Sequence, residues 1–301
     1  MAHRNKGFGA GVGFVLLANL GWSLSGLFVR LMPELNGWQI NCWRGFWMAV
    51  ALLCYLVFSY GRDTGKIFKT VPVFAMVLSA LSFAVGTTAY VTSLTLVATA
   101  TVSIIGATSP LFTGLLSPWI TGERPGLIAW LSALFALCGM YVIAQHGVET
   151  GHVLGLALCF GVPITFAAQT LLLRRYREFD MMPAICVGGF LSFVLAGFFS
   201  VFASTQSAFV INPHSFLLLM LMGPVQLAIP LVFYGLGAKT VPAITLALLA
   251  MMDAVINPFW SWAFVGEIPD RPAVIGGAII LVAVLMSVVG QRWANARTLQ
   301  A

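Results

Sequence analysis

The stretch ITGERPGLIAW, residues 120–130, places a Gly-Glu turn and a proline between two apolar runs. The stretch FVGEIPDRPAV, residues 264–274, repeats the Gly-Glu turn with its proline. Gly122 and Gly266 are 144 positions apart, close to half of the 301-residue chain. A turn repeated at that spacing indicates that one structural unit is present twice. Glu123 and Glu267 themselves are expected to act at the turn and the helix end.

The composition is that of a membrane protein. The chain is 60% hydrophobic and 8% charged, far from the average of soluble domains. Asp, Glu, Lys and Arg are absent between Lys69 and Glu123 and between Asp180 and Lys239. Each interval can hold two apolar segments of about 20 residues, the length that crosses a hydrocarbon core of about 30 Å. The segments lack the alternating pattern of barrel strands, so we expect an all-α membrane protein.

Turn and charge signals predict ten transmembrane helices, at 8–29, 37–59, 71–93, 98–120, 126–145, 153–173, 182–203, 215–236, 242–265 and 273–291. Lys and Arg set their orientation. With the N-terminus in the cytoplasm, twelve of these residues are cytoplasmic, and only Arg30, Arg44 and Arg271 lie on or toward the other side. Both termini are therefore expected in the cytoplasm and the protein in a bacterial inner membrane. The net charge of +6 then reflects topology, and no nucleic-acid partner is expected.

The repeat extends beyond the turn. Sliding the chain on itself by 144 positions also pairs Gly11 with Gly155, Arg30 with Arg174, Cys42 with Cys186, Phe46 with Phe190, and Tyr90 with Tyr234. We expect two five-helix repeats, residues 1–147 and 148–301. Because five is odd, the second repeat enters the membrane from the opposite side. Inverted repeats of this kind are typical of secondary transporters, which alternate access to a site near the midplane.

These features resemble the drug/metabolite transporter superfamily, and within it the EamA-type branch. The resemblance rests on ten helices as 5+5, the Gly-Glu after the fourth helix of each half, and Arg44 in CWRGF. Pro110 of ATSPLF fits the family's proline before the first Glu, whereas the second half has Ala254 there and Pro258 one turn later. The resemblance covers nearly the whole chain. It implies a transporter of small organic solutes, and bacterial exporters of amino acids, including aromatic ones, are similar in length.

Polar residues recur at helical spacing in the fourth and ninth predicted helices. They are Thr101, Ser109, Thr113 and Ser117 in the fourth, and Thr245, Asp253, Asn257 and Ser261 in the ninth. Hydrogen bonds between helices would explain the Ser and Thr members equally well. Asp253 is the one carboxylate deep in a predicted span, where an acid costs about 2.5–3.5 kcal/mol. It is expected to hold a substrate amino group, to carry a proton, or to bond within the bundle. Arg44, near the outer end of its helix, is expected to reach the surface in a structural role.

Two further groups of residues complete the candidate site. Trp22 and Phe166 are equivalent in the repeat, as are Tyr90 and Tyr234, so these rings could clamp a substrate or could simply pack. Three amides within spans need hydrogen-bond partners, from a substrate or from neighbouring helices. The predicted substrate-binding residues are Asn19, Trp22, Tyr90, Ser109, Phe166, Gln169, Gln226, Tyr234, Asp253 and Asn257.

No pattern indicates an enzyme. The five cysteines lie within spans without C-x-x-C spacing, the four histidines lie in loops or tails, and motifs such as HExxH and GxSxG are absent. We therefore expect no metal and no cofactor. The sequence predicts a secondary-active exporter of amino acids, working as a monomer in the lipid bilayer on a small-molecule substrate. An exporter of other metabolites or drugs, such as nucleobases or organic cations, and a passive channel remain alternatives.

Overall fold

The computed structural model describes residues 2–96, 99–144, 153–203, 208–265 and 271–297. Within these residues all regular structure is helical. Seven helical segments are long and apolar enough to cross a membrane, and Leu127–Ile143 and Ala243–Ile256 are shorter apolar helical segments. The prediction of an all-helical membrane protein is confirmed. The second Gly-Glu turn, with Glu267, lies outside the described residues.

The helices of the first half are α1 (Ala2–Trp22), α2 (Ser25–Arg30), α3 (Gly37–Tyr60), α4 (Thr64–Thr70), α5 (Val73–Leu96), α6 (Thr99–Gly106), α7 (Ser109–Ile120) and α8 (Leu127–Ala144). Those of the second half are α9 (Val153–Arg175), α10 (Met182–Ala203), α11 (Pro213–Met222), α12 (Ile229–Ala238), α13 (Ala243–Ala250), α14 (Met252–Val265) and α15 (Arg271–Arg297). A short π-helix, Gly223–Ala228, joins α11 to α12. Each predicted span thus coincides with one helix or with two consecutive ones.

Three predicted spans are broken helices rather than continuous ones. The first is divided between α1 and α2, the fourth between α6 and α7, and the ninth at Met251 between α13 and α14. The fourth breaks where Pro110 occupies the first turn of α7, because proline has no N–H to continue the preceding helix. The ninth breaks without a proline at the junction, and Pro258 lies inside α14. Pro163 likewise lies within the unbroken α9.

Two helix ends follow the 144-residue repeat. Helix α6 ends at Gly106 and α13 ends at Ala250, so the two helices end 144 positions apart. The break that follows each helix thus falls at nearly the same place in the two halves.

The contacts between α3 and α10 are reciprocal under the same shift. The Cys42 thiol lies 3.6 Å from the carbonyl oxygen of Phe193, and the Cys186 thiol lies 3.3 Å from that of Ala49. Cys186 is the equivalent of Cys42, and Phe193 is the equivalent of Ala49. Residue numbers rise along α3 as those of their partners fall along α10, so the two helices are antiparallel. Reciprocal contacts of this kind are the signature of an approximate two-fold axis.

Two equivalent glycines lie at the centre of this contact. A Cβ atom on Gly45 would stand 2.9 Å from the carbonyl oxygen of Gly189, and one on Gly189 would stand 3.0 Å from that of Gly45. The absence of side chains lets the two backbones approach closely, as small residues do between membrane helices.

Helix α13 lies at the centre of the molecule, and all eight of its residues are buried. The two ends of the chain lie on one face, because Gly7 near the N-terminus and Gln291 in α15 line the same cavity as Glu123. We call this end of the molecule the Glu123 face. The loop before α3 and the loop before α11 meet at the opposite end, where Asn212 donates to Glu34 over 2.9 Å.

Candidate substrate site

The break in the ninth span is held by a side chain from the first helix. Asn19 is fully buried, and its Nδ2 donates to the carbonyl oxygens of Val15 at 2.7 Å and Leu249 at 2.9 Å. Leu249 lies in the last turn of α13, where carbonyls have no intrahelical partner. Asn19 Oδ1 has no hydrogen-bond partner within the described structure. Of the two polar atoms of this amide, only Nδ2 has the hydrogen-bond partner that the sequence predicted it would need.

Just beyond the break, the first turn of α14 carries Asp253. This position places a carboxylate beside the free N–H groups at the helix start, where the helix dipole favours negative charge. Asp253 is hydrogen-bonded to the backbone of Ala254. Tyr90 of α5 lies within electrostatic range of both Asp253 and Arg44. The structure therefore brings a carboxylate, a phenol and a guanidinium from three different helices to one place.

The exposure of Tyr90 bears on what these groups can bind. Tyr90 lies deep in the protein, yet 40% of its surface is open. An exposed phenol at this depth keeps surface that a ligand can contact. Of the predicted site residues, Tyr90 and Asp253 therefore lie within electrostatic range of each other.

The position of Arg44 differs from the expectation that its side chain reaches the surface. It is 9% exposed and does not reach the outer surface. Its Nη2 donates to Asn41 Oδ1 over 3.1 Å, and Asn41 in turn donates to Ser192 of α10 over 3.2 Å. Ser192 is also hydrogen-bonded to Thr87 of α5 at 3.0 Å. The guanidinium is held inward by this chain of polar groups, which counting residues from the helix end did not predict.

The charge of Arg44 is not neutralised in the described structure. Its Nε has no hydrogen-bond partner, and no carboxylate of the described residues lies within 4.0 Å of it. A buried charge without a counter-charge is costly unless something else offsets it. The arrangement leaves the guanidinium able to bind an anionic group.

Three of the four predicted aromatic residues form one cluster, which we call the ring cluster: Trp22, Phe166 and Tyr234. The ring centroids of Trp22 and Tyr234 are 5.0 Å apart and those of Phe166 and Tyr234 are 6.0 Å apart, both tilted. Tyr234 is 2% exposed, and its hydroxyl lies 2.9 Å from Thr170 Oγ1. Tyr90 shares no ring contact with these residues among the described side chains. The three rings therefore touch one another, and Tyr90 lies apart from them, within electrostatic range of Arg44.

The other two predicted amides are also incompletely paired. Gln169 Oε1 accepts from Ser79 over 3.0 Å, but its Nε2 has no partner within the described structure. Gln226 lies in the π-helix, and its Oε1 likewise has no partner there. π-Helical turns occur often at functional sites. Both amides are buried and keep hydrogen-bonding capacity.

The last two predicted residues contribute less. Ser109 is buried at the start of α7, and its carbonyl oxygen accepts from Thr113 over 2.8 Å, so it serves the helix break. Asn257 lies within α14, but its side chain is outside the described part of the structure.

Sequence reasoning missed two more buried polar atoms. Trp47 Nε1 and Thr88 Oγ1 are buried without a partner in the described structure. Trp47 lies three residues after Arg44 on α3, and Thr88 lies two residues before Tyr90 on α5. The i, i+3 spacing from Arg44 was a usable signal for Trp47, because such residues share a helix face.

Comparison with known proteins shows which families the chain resembles. Residues 9–145 match the EamA-like transporter family. This confirms the resemblance to EamA-type transporters. The chain is 23% identical over 296 residues to an S-adenosylmethionine uptake transporter of Rickettsia conorii, covering 97% of both proteins. It is also 24% identical over 194 residues to the uncharacterized transporter YdfC of Bacillus subtilis, covering 59% of this chain and 58% of that protein.

The fold is shared with a solved protein. A crystal structure of a protein superposes with a TM-score of 0.81, covering 95% of this chain and 99% of that chain at 16% sequence identity. Together with the apolar helices, the family match and the bacterial relatives support a multi-pass protein of a bacterial membrane that is similar to transporters.

Proposed function

We propose that the protein is a secondary-active carrier of small solutes that bear an amino-acid group. The observation that carries this proposal is that Tyr90, which is 40% exposed, lies within electrostatic range of both Arg44 and Asp253. A free amino acid has a carboxylate and an ammonium on one carbon, and this site offers a group of opposite charge to each. Charge-assisted hydrogen bonds of this type are the strong ones in binding sites.

The remainder of the solute meets the other cavity residues. The ring of Tyr90 offers an aromatic surface at 40% exposure. Gln226 and Trp47 offer an unpaired acceptor and an unpaired donor. A few placed polar groups among apolar and aromatic surface are what small-molecule sites usually present. We infer a solute with a charged head and an apolar or aromatic body, such as an aromatic amino acid.

S-adenosylmethionine is a second candidate, favoured by the names of the Rickettsia relatives, which match almost the whole chain. It carries the same amino-acid group and adds a sulfonium cation and an aromatic base. Resemblance to amino-acid exporters suggested export, whereas these relatives are named for uptake. A secondary carrier moves its solute in the direction that the gradients set, so one site serves either direction.

Alternating access around an inverted repeat is the proposed mechanism. The reciprocal contacts of α3 with α10 and the equivalent ends of α6 and α13 support it. We further propose ten membrane crossings in two five-helix repeats, with both termini in the cytoplasm and a monomer as the working unit. Internal symmetry of this kind lets one chain build both access routes.

The test is counterflow in proteoliposomes loaded with unlabelled solute. Labelled amino acids, S-adenosylmethionine, nucleobases and organic cations are offered outside in turn. A carrier of amino-acid-bearing solutes shows transient accumulation of the first two classes only. Accumulation of nucleobases or simple cations alone would show a different substrate class. Flux without trans-stimulation would show a channel.

A further inference from the structure

Glu123 connects the two halves of the chain at one point. Its Oε1 lies 2.6 Å from Arg174 Nε at the end of α9, and its Oε2 accepts from the backbone N–H of Ala243 over 2.8 Å. Ala243 is the first residue of α13. The glutamate therefore joins the turn after α7 to two helices of the second half.

Arg174 extends the connection to a third helix. Its Nη1 donates to the carbonyl oxygens of Ala238 at 3.0 Å and Lys239 at 2.8 Å, at the end of α12. Helix ends leave carbonyls unpaired, and a guanidinium is suited to bind several acceptors at once. Side-chain exposure is 9% for Arg174 and 25% for Glu123, so the pair is screened by water far less than an exposed one.

The turn itself is built to present Glu123 in this way. Gly122 has φ of +72°, a conformation that glycine adopts at little cost. Ser117 Oγ donates to the Glu123 carbonyl oxygen over 3.1 Å, which fixes the backbone of the turn against α7. A plain connecting turn would need neither a carboxylate aimed into the protein nor a partner arginine.

The ring cluster lies directly beneath this pair. Phe166, Thr170 and Arg174 are spaced four residues apart on α9 and so share one helix face. Phe166 and Thr170 contact Tyr234, and Arg174 binds the end of α12 one turn further on. The order from the Glu123 face inward is thus an ion pair, then a closed layer of rings.

We infer that Glu123 and Arg174 form the latch of a gate that closes the cavity at the Glu123 face, with the ring cluster as its inner layer. This rests on the proposed transport cycle. The contacts join the halves that must separate for the cavity to open there. Each is a polar contact that water can replace, as a reversible closure requires. Glu123 and Arg174 also line a cavity of about 590 Å³ at this face.

The experiment measures opening without any solute. Thr170→Cys is made in a background without the five native cysteines, and its reaction with a membrane-impermeant thiol reagent is followed in vesicles of each orientation. Glu123→Gln and Arg174→Gln are each expected to raise the labelling rate about tenfold from the Glu123 face only, since the rate follows the open population. The double variant should exceed neither single variant by much, because both remove one latch.

Asp63→Asn is the matched control. It breaks the Lys66–Asp63 ion pair, which has the same 2.6 Å separation but side chains 80% and 62% exposed, and it should leave the labelling rate unchanged. Arg174→Lys keeps the positive charge but loses the several donors of the planar guanidinium, so it should give an intermediate labelling rate. This variant also controls for poor folding of the glutamine variants. Unchanged labelling in both glutamine variants, or an equal rise from both faces, overturns the latch. Because no solute is present, neither result depends on the identity of the transported molecule.

Discussion

Tyr234 and Tyr90 occupy equivalent positions of the repeat, 144 residues apart, and have opposite surroundings. Tyr234 is 2% exposed beneath Trp22 and Phe166, whereas 40% of the Tyr90 surface is open. The two rings differ because Trp22 and Phe166 pack on Tyr234, whereas the described structure shows no ring packed on Tyr90. In the proposed transport cycle, this difference corresponds to a closed layer at Tyr234 and an open one at Tyr90.

The difference in exposure predicts that replacing each tyrosine by alanine lowers the stability of the protein by a different amount. Tyr234→Ala removes a buried ring and the hydrogen bond to Thr170, so we expect a loss of about 3–5 kcal/mol in the free energy of unfolding. Tyr90→Ala should cost less than about 1 kcal/mol, because the ring is partly open, while transport falls strongly. Thermal unfolding and transport, measured side by side, check both. Equal destabilisation by the two variants would show that Tyr90 is packed like Tyr234.

The inward placement of Arg44 makes a prediction about substrate choice. Arg44→Gln should raise KM for amino acids about 10- to 100-fold, the range expected for losing a hydrogen-bonded charge partner. The same variant should affect the corresponding amine without a carboxylate far less. Arg62→Gln, at an exposed position after α3, is the control. If Arg44→Gln weakens binding of the amino acid and of its amine equally, the guanidinium does not bind the carboxylate.

The faces of the molecule can be assigned by labelling. Gly126, in the turn after Glu123, and His214, at the start of α11, are both exposed and lie at opposite ends of the fold. Single cysteines at these positions in a cysteine-free background should differ in intact cells. We expect an impermeant reagent to modify His214→Cys and to spare Gly126→Cys, because the Glu123 face carries the excess of Lys and Arg. The reverse pattern would invert the proposed orientation.

Glu34 predicts a pH-dependent contact at the end opposite to the Glu123 face. Hydrogen bonds from Ser215, first, and from Asn212 hold the pKa of Glu34 below its ordinary value of 4.5. A lowered pKa in the folded state means that the contact stabilises the protein above pH 4.5 and that this stability is lost as the pH falls through the lowered pKa. The difference in Tm between the protein and Glu34→Gln should therefore be present at pH 7 and shrink toward pH 3. Glu178→Gln, at an exposed position, should show no such trend.

The sequence predicted an all-helical membrane protein correctly, because apolar length and charge gaps are local quantities. It misplaced Arg44, because counting residues from a helix end treats the helix as alone in the bilayer. It did not locate the break at Met251, which depends on Asn19 from a helix 230 positions away. Nor could it distinguish Tyr90 from Tyr234. A repeat makes their positions equivalent, and only the packing of Trp22 and Phe166 on one of them separates the two.

Asp253 has two possible roles in the cycle, and one variant distinguishes them. At the start of α14 beside Tyr90, it can bind the ammonium of the solute, or it can take up and release a proton as access alternates. Asp253→Asn keeps the size of the side chain and removes the charge. If the residue binds the ammonium, KM should rise for amino acids and not for neutral analogues. If it carries the proton, solute exchange should persist while accumulation driven by a pH gradient disappears.

The proposed site favours the first role, because Tyr90 lies within electrostatic range of both Arg44 and Asp253 and two groups of opposite charge match the two ends of a zwitterion. We therefore expect Asp253→Asn to weaken amino-acid binding about 10-fold or more, as the loss of a charge-assisted hydrogen bond does. Counterflow at several solute concentrations measures this, with and without an imposed pH gradient, and Asp63→Asn serves as the control for an exposed carboxylate. If affinity, exchange and pH dependence all stay unchanged in Asp253→Asn, the carboxylate only caps α14, and the charge pair with Arg44 does not select the solute.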